Sequence, residues 1–312
     1  MVKETSSQSN VALSRLSVRV PPGFSFRRTV FSHGWCSLPP FAFQAESGQL
    51  DRVLLLSDKS VVRCRLTGNG NRVSIVVAGK SPLTKYHRKE IAQQVALCLR
   101  LDEDLSLFHT EARRHPKYRW IAASSSGRLL RSPSVFEDAV KMICTTNCTW
   151  SLTTLMVTNL VRHFGSRLDE SHFAFPTPEA IADSSDTYLR MRCKTGYRTP
   201  YILELSRRIA EGKLDIESWR NSTLPTDELF MQLRDVKGIG PYAAGNLLKL
   251  LGRYDYLGLD SWVRAKYYEL HRRGRKVKDA TIEKHYAPYG TWRGLFFWLE
   301  MTKYWHDEKF EL

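Results

Sequence analysis

Apolar and polar positions alternate along residues 22–80 and switch to helical spacing after about residue 133. Val62, Cys64 and Leu66 alternate with polar neighbours, and so do Val73, Ile75 and Val77, the period of a half-buried strand. Gly68-Asn69-Gly70-Asn71 joins these runs, and Ser57-Asp58-Lys59-Ser60 precedes the first; both are turn signals. The pattern predicts a small antiparallel sheet with residues 53–56 as a neighbouring strand. A helix follows over 85–99, with Ile91, Val95 and Leu99 at helical spacing. Its basic first turn, Lys85, His87, Arg88 and Lys89, reads as a solvated face. Residues 1–20 are polar and read as a disordered tail. The stretch through Phe24 and Phe26 reads as its frayed lead into a strand.

The second half is helical throughout. Ser134 and Glu137 form a capping-box pattern ahead of Phe136, Val140 and Ile143. A helix through Leu152, Leu155, Met156 and Leu160 stops at Gly165, Thr177-Pro178 opens the next, and Pro200 opens another with Ile202, Leu205 and Ile209 inward. Thr226 is expected to cap a helix carrying Leu229, Leu233 and Val236. That helix stops at Gly238-Ile239-Gly240, and a second restarts with Pro241 at its first position and buries Ala244, Leu247, Leu248 and Leu251. Asp279 is expected to cap a helix toward Tyr286, and an aromatic-rich helix spans 291–305. The fold class is therefore α+β: a tail (1–20), an N-terminal sheet domain with a helix (21–120) and a helical domain (121–312).

Two helices joined by a glycine hairpin present backbone N–H groups at a helix N-terminus, which suits a phosphate. Charge agrees with such a partner. The 312 residues carry a net +15, with a pI near 9.6, so a polyanion is the natural ligand class. No run approaches a membrane span, and the N-terminus has no secretory apolar core. The six cysteines, at 36, 64, 98, 144, 148 and 193, form no CxxC pair and no zinc spacing. A reduced intracellular protein is the expectation.

The hairpin Lys237-Gly238-Ile239-Gly240-Pro241, with Asp260 just beyond the pair, resembles the helix-hairpin-helix, Gly/Pro-loop and aspartate signature of base-excision DNA glycosylases. The resemblance covers roughly residues 22–305 and implies a TATA-binding-protein-like sheet domain joined to a helical glycosylase core. It implies double-stranded DNA with a damaged base as partner, and Asp260 as the catalytic carboxylate. Members that also cut the strand carry a lysine four residues after the first hairpin glycine; here that position is Tyr242, which cannot form an imine. The resemblance therefore implies a monofunctional enzyme that uses water, as in the 3-methyladenine glycosylase II branch. Asn147 matches the residue that fills the gap left by a flipped nucleotide. Tyr197 and Arg198 match the wedge and the opposite-base reader of the 8-oxoguanine branch. Asn246 stands where that branch has a cysteine, and Leu152 where it has an arginine, departures that weigh against 8-oxoguanine specificity while an alkylated or an oxidised purine both remain open. Carbonyls near Leu233, Val236 and Ile239 match a structural cation site, monovalent or magnesium. No cofactor is expected, and with no cysteine after Cys193 the iron–sulfur loop of other branches is excluded.

On residues alone, Asp260 also fits a helix N-cap, a role compatible with catalysis, and Asp255 is a weaker alternative in the same loop. Lys237 reads as a phosphate contact and Lys249 as a surface residue. A non-catalytic helix-hairpin-helix DNA binder, or a glycosylase/lyase with a displaced lysine, are the competing readings. The expected protein is a DNA-associated monomer in nucleoid or nucleus. The lesion stays open.

Overall fold

A computed structural model describes residues 12–307. Five strands, β1 (Ala12–Arg19), β2 (Phe41–Gln44), β3 (Gln49–Leu55), β4 (Val61–Asn69) and β5 (Arg72–Gly79), form one sheet in the order β1-β5-β4-β3-β2. Every pair is antiparallel. Val62, Cys64 and Leu66 of β4 and Val73, Ile75 and Val77 of β5 are buried, as their alternation requires. The helix Lys85–Cys98 is capped by Thr84 and buries Ile91, Val95 and Cys98.

The expected tail needs correction from residue 12 onward, because β1 pairs with β5 from Ala12↔Gly79 to Arg19↔Arg72. Its serines and arginines disguise an alternation in which Leu16 and Val18 pack against the core. Residues 1–11 lie outside the described residues. Phe26 begins a short helix, Phe26–Val30, capped by Ser25, rather than a frayed lead.

The helical half holds fewer surprises at its starts than in its caps. Thr149 and Thr177 cap their helices, and Gly165 ends the helix Trp150–Phe164. Thr226 is not a cap: Pro225 takes that place, and the Thr226 hydroxyl donates to Asp255 Oδ2 at 2.9 Å. Lys278 takes the cap expected of Asp279, which instead pairs with Arg264 at 2.8 Å. The long aromatic helix is three pieces, a 3₁₀ turn Ala287–Trp292 followed by Arg293–Met301 and Lys303–Asp307.

The capping box at Ser134 is half formed. Its hydroxyl accepts from Glu137 N at 3.2 Å, but the Glu137 carboxylate turns inward. Both its oxygens accept from Arg52 of β3, at 2.7 and 2.6 Å, and Lys141 Nζ lies 2.7 Å from Oε1. All three side chains are almost wholly buried. Next to them Trp35 Nε1 donates to Asp138 Oδ1 at 2.7 Å. The sheet is thus bolted to the helix Val135–Cys144 through a buried polar cluster, and one continuous apolar core runs through both halves. The expected boundary at residue 120 falls inside the helix Arg119–Ala123.

Candidate active site

The hairpin joins the helix Thr226–Arg234 to the helix Pro241–Leu250. Leu229, Leu233, Val236 and Ile239 are buried beneath it. Of its two glycines, Gly238 is the one the backbone demands: φ is +89°, and a Cβ there would lie 2.8 Å from Tyr201 Cβ. Pro241 and Gly240 are exposed, and so is Lys237, whose Nζ pairs with Glu204 at 2.8 Å. Pro241 carries no N–H and Ala244 N donates back to Gly240 O at 2.9 Å, which leaves Tyr242 and Ala243 as the N–H groups of the second helix's first turn without a helical acceptor four residues earlier. The carbonyls of Leu233 and Val236 accept backbone N–H groups from Val236 and Ile239, at 3.2 and 3.0 Å, and Leu233 O also faces the Asp235 N–H.

Beyond the second helix, Gly258 turns the chain (φ +67°) close against Asn246 and Lys249 and delivers Asp260. Asp260 is the N-cap of the helix Ser261–Arg272, its Oδ1 accepting from Val263 N at 2.8 Å. It is only half-buried and lines a pocket of about 300 Å³. Asp255 is tied up by Thr226 and does not line that pocket. Capping and pocket access therefore coincide in Asp260 alone.

The pocket is walled by aromatic rings from distant segments: Trp35, Trp150, Tyr242, Trp262, Trp298 and Trp305. His33 lies in the same wall, its Nε2 2.5 Å from Leu130 O. Burial, together with the charge of Lys141 and against that backbone contact, lowers its pKa to about 4, so the imidazole is neutral. Tyr242 faces the cavity, and its phenol is pushed well up, by burial first and then by the negative charge of Asp260.

Lys249 overturns the surface reading. Its side chain is 2% exposed and lines the same pocket. Nζ donates to Leu257 O at 2.6 Å and to Asn246 Oδ1 at 3.0 Å. Burial lowers its pKa to about 7, against the pull of Asp260, which favours the charged form. A signal for this was present in the sequence. Tyr242, Asn246 and Lys249 are spaced four and three residues apart, which places them on one helix face. The two residues already assigned to the pocket therefore point to the third.

At the rim, Thr145 and Cys148 line the pocket, and Asn147 between them is exposed, with φ +46°. The Tyr197 hydroxyl accepts from Asn147 Nδ2 at 3.4 Å and donates to Thr146 O at 3.2 Å. These two expected wedge residues meet on the surface. Arg198 does not join them there. It is 3% exposed, donates through Nη2 to Thr146 O, and stacks its guanidinium under the Tyr197 ring at 4.5 Å. It props the loop from below instead of presenting itself to an opposite base.

No family model matches the chain. The DNA-3-methyladenine glycosylase of Bacillus subtilis is 23% identical over 274 residues, spanning 81% of this chain and 88% of that protein. Among solved structures, the 3-methyladenine DNA-glycosylase from Archaeoglobus fulgidus superposes with a TM-score of 0.72 at 19% identity, over 92% of this chain and 98% of that one. The 8-oxoguanine glycosylase/lyase of Clostridium acetobutylicum gives 0.71 at 19%, over 93% and 98%. The chain thus shares the fold of 3-methyladenine and 8-oxoguanine glycosylases and is similar in sequence, along most of its length, to a DNA-3-methyladenine glycosylase; its glycine hairpin followed by Asp260 fits a helix-hairpin-helix DNA glycosylase of this branch.

Proposed function

We propose that the protein is a base-excision DNA glycosylase that extrudes a damaged purine into the aromatic pocket and hydrolyses its N-glycosidic bond. The observation that carries this reading is the placement of Asp260, a helix cap that also opens onto the pocket. The C1′–N bond breaks with its electron pair leaving on the base. Positive charge spreads over C1′ and the ring oxygen, and the Asp260 carboxylate stabilises it. A water oxygen then bonds to C1′ and releases its surplus proton. The hairpin N–H groups and Lys237 grip the backbone phosphates, and the carbonyls of Leu233, Val236 and Ile239 are the groups that would hold a structural cation, which would supply further positive charge to the backbone grip.

Strand cleavage is no part of the proposed reaction. Tyr242 occupies the lysine position, and Lys249 stands seven residues on, about 10 Å along the helix axis, its amine engaged by Leu257 and Asn246. We place the enzyme on duplex DNA as a monomer, in nucleoid or nucleus. Among the described residues no helix is long and apolar enough to cross a membrane.

The test is a panel of duplexes with single lesions, split before hot alkali. Strand breaks only after alkali are expected. Breaks without alkali, with a borohydride-trapped adduct lost in Lys249→Met, would show lyase chemistry by a displaced lysine. Tight binding with no base released from any lesion would favour a non-catalytic binder. For the rim, Asn147→Ala and Tyr197→Ala are expected to slow excision from duplex about tenfold more than from single strands, since only a duplex leaves an unstacked gap. Equal losses on both substrates would remove the wedge role.

A further inference from the structure

A buried lysine amine in a base-sized aromatic pocket calls for a reason beyond packing. An ammonium has three hydrogens, and two acceptors, Leu257 O and Asn246 Oδ1, lie within hydrogen-bond distance of Lys249 Nζ among the described residues. The Trp298 ring, another pocket wall, has its centroid 5.8 Å from Nζ. Gly258 gives the amine its place, since a Cβ there would lie 2.8 Å from Nζ. Helix, turn and aromatic wall together hold the nitrogen at the cavity surface.

We propose that Lys249 sets a positive charge and an N–H donor against the extruded base, so that the pocket takes a neutral purine bearing a carbonyl acceptor and turns away bases that are already cationic. This rests on the glycosylase reading. Aromatic walls alone would favour an alkylated, cationic base through stacking and ring electrostatics. A like charge a few ångströms away in a poorly solvated cavity opposes that preference more strongly than a ring face supports it. The two classes also differ in what departure requires. A cationic base leaves neutral and needs no help. A neutral purine leaves with negative charge building on its ring, which a fixed N–H donor stabilises. One group therefore rejects the first class and assists the second.

The test compares single-turnover release of hypoxanthine and of 7-methylguanine from otherwise identical duplexes, by wild-type protein and by Lys249→Met. Methionine approximates the volume of the lysine stem, and the loss of the Nζ donor to Leu257 O and Asn246 Oδ1 lowers stability without bearing on a ratio of rates. The ratio of the two rates in one preparation is independent of the folded fraction. The wild-type ratio is expected to favour hypoxanthine, and Lys249→Met to shift it at least tenfold toward 7-methylguanine. Raising the pH from about 6 to 8 should shift the wild-type ratio the same way, as the ammonium loses its proton, and leave the variant flat. The other titratable groups on this wall are Asp260, Tyr242, His33, Cys148 and Tyr304, all unchanged in the variant. An unchanged ratio while both bases are still released would overturn the role of Lys249 and leave the glycosylase reading standing. Release of neither base nor of any other lesion in the panel would overturn both.

Discussion

Asp260→Asn is expected to lower the single-turnover rate of base release by about 10²–10³-fold while leaving the affinity for lesion duplex within about twofold. The substitution separates two jobs held by one side chain. Asparagine caps helices as well as aspartate does, so Oδ1 can still accept from Val263 N and the helix Ser261–Arg272 keeps its start. Only the negative charge is lost, and with it the stabilisation of the oxocarbenium-like sugar. Asp260→Ala should lose the cap as well, about 1 kcal/mol of stability, and serves as the structural control. Rates are read from a fluorescent duplex and binding from its anisotropy. A wild-type rate in Asp260→Asn would mean that the charge is dispensable and that this carboxylate is only a cap.

Glu137→Gln is expected to destabilise the protein by about 3–5 kcal/mol, a fall in Tm on the order of 10 °C. The substitution leaves the Arg52 guanidinium buried without its anion, beside Lys141, whose pKa burial already lowers and whose charged form Glu137 supports. Burial by itself would raise the Glu137 pKa. The charges of Arg52 and Lys141 and their hydrogen bonds outweigh it and hold the carboxyl at about 2. Because the folded value lies below the ordinary 4.5, the stabilisation is complete above that pH and drains away as the pH falls toward 2. The stability gap between wild type and Glu137→Gln should therefore narrow over this window. Replacing Arg52, Glu137 and Lys141 together by methionine should restore most of the loss. A single variant that melts like the wild type would mean that water reaches the cluster.

Much of this fold was legible because the hydrophobic period is strict where the chain is half-buried. β4, β5 and the hairpin helices follow directly from it. β1 was hidden because its inward positions include Ala12 and Ser14, small residues that make little apolar signal. Arg52, Glu137 and Lys141 are invisible to patterning for the opposite reason: charged residues are expected outside, and only the fold brings the three together. Within the site, Asp260 and Tyr242 were singled out by the resemblance of the hairpin to the glycosylase signature, and both line the pocket. The burial of Lys249 depends on the Gly258 turn and on Trp298, far away in sequence. That of Arg198 depends on Met156 and Thr146 across a helix. Neither is a property of local sequence, although the shared helix face of Tyr242, Asn246 and Lys249 was available.

The pocket draws Trp35 from near one end of the chain and Trp305 from near the other. Ribosomes release proteins from the amino end, so a nascent chain has no complete cavity until Trp305 has emerged. A chain halted just past Leu250 would hold both helices of the hairpin yet lack Asp260 and the Trp262, Trp298 and Trp305 rings of the wall. The aromatic wall is therefore the last part of this site that translation completes.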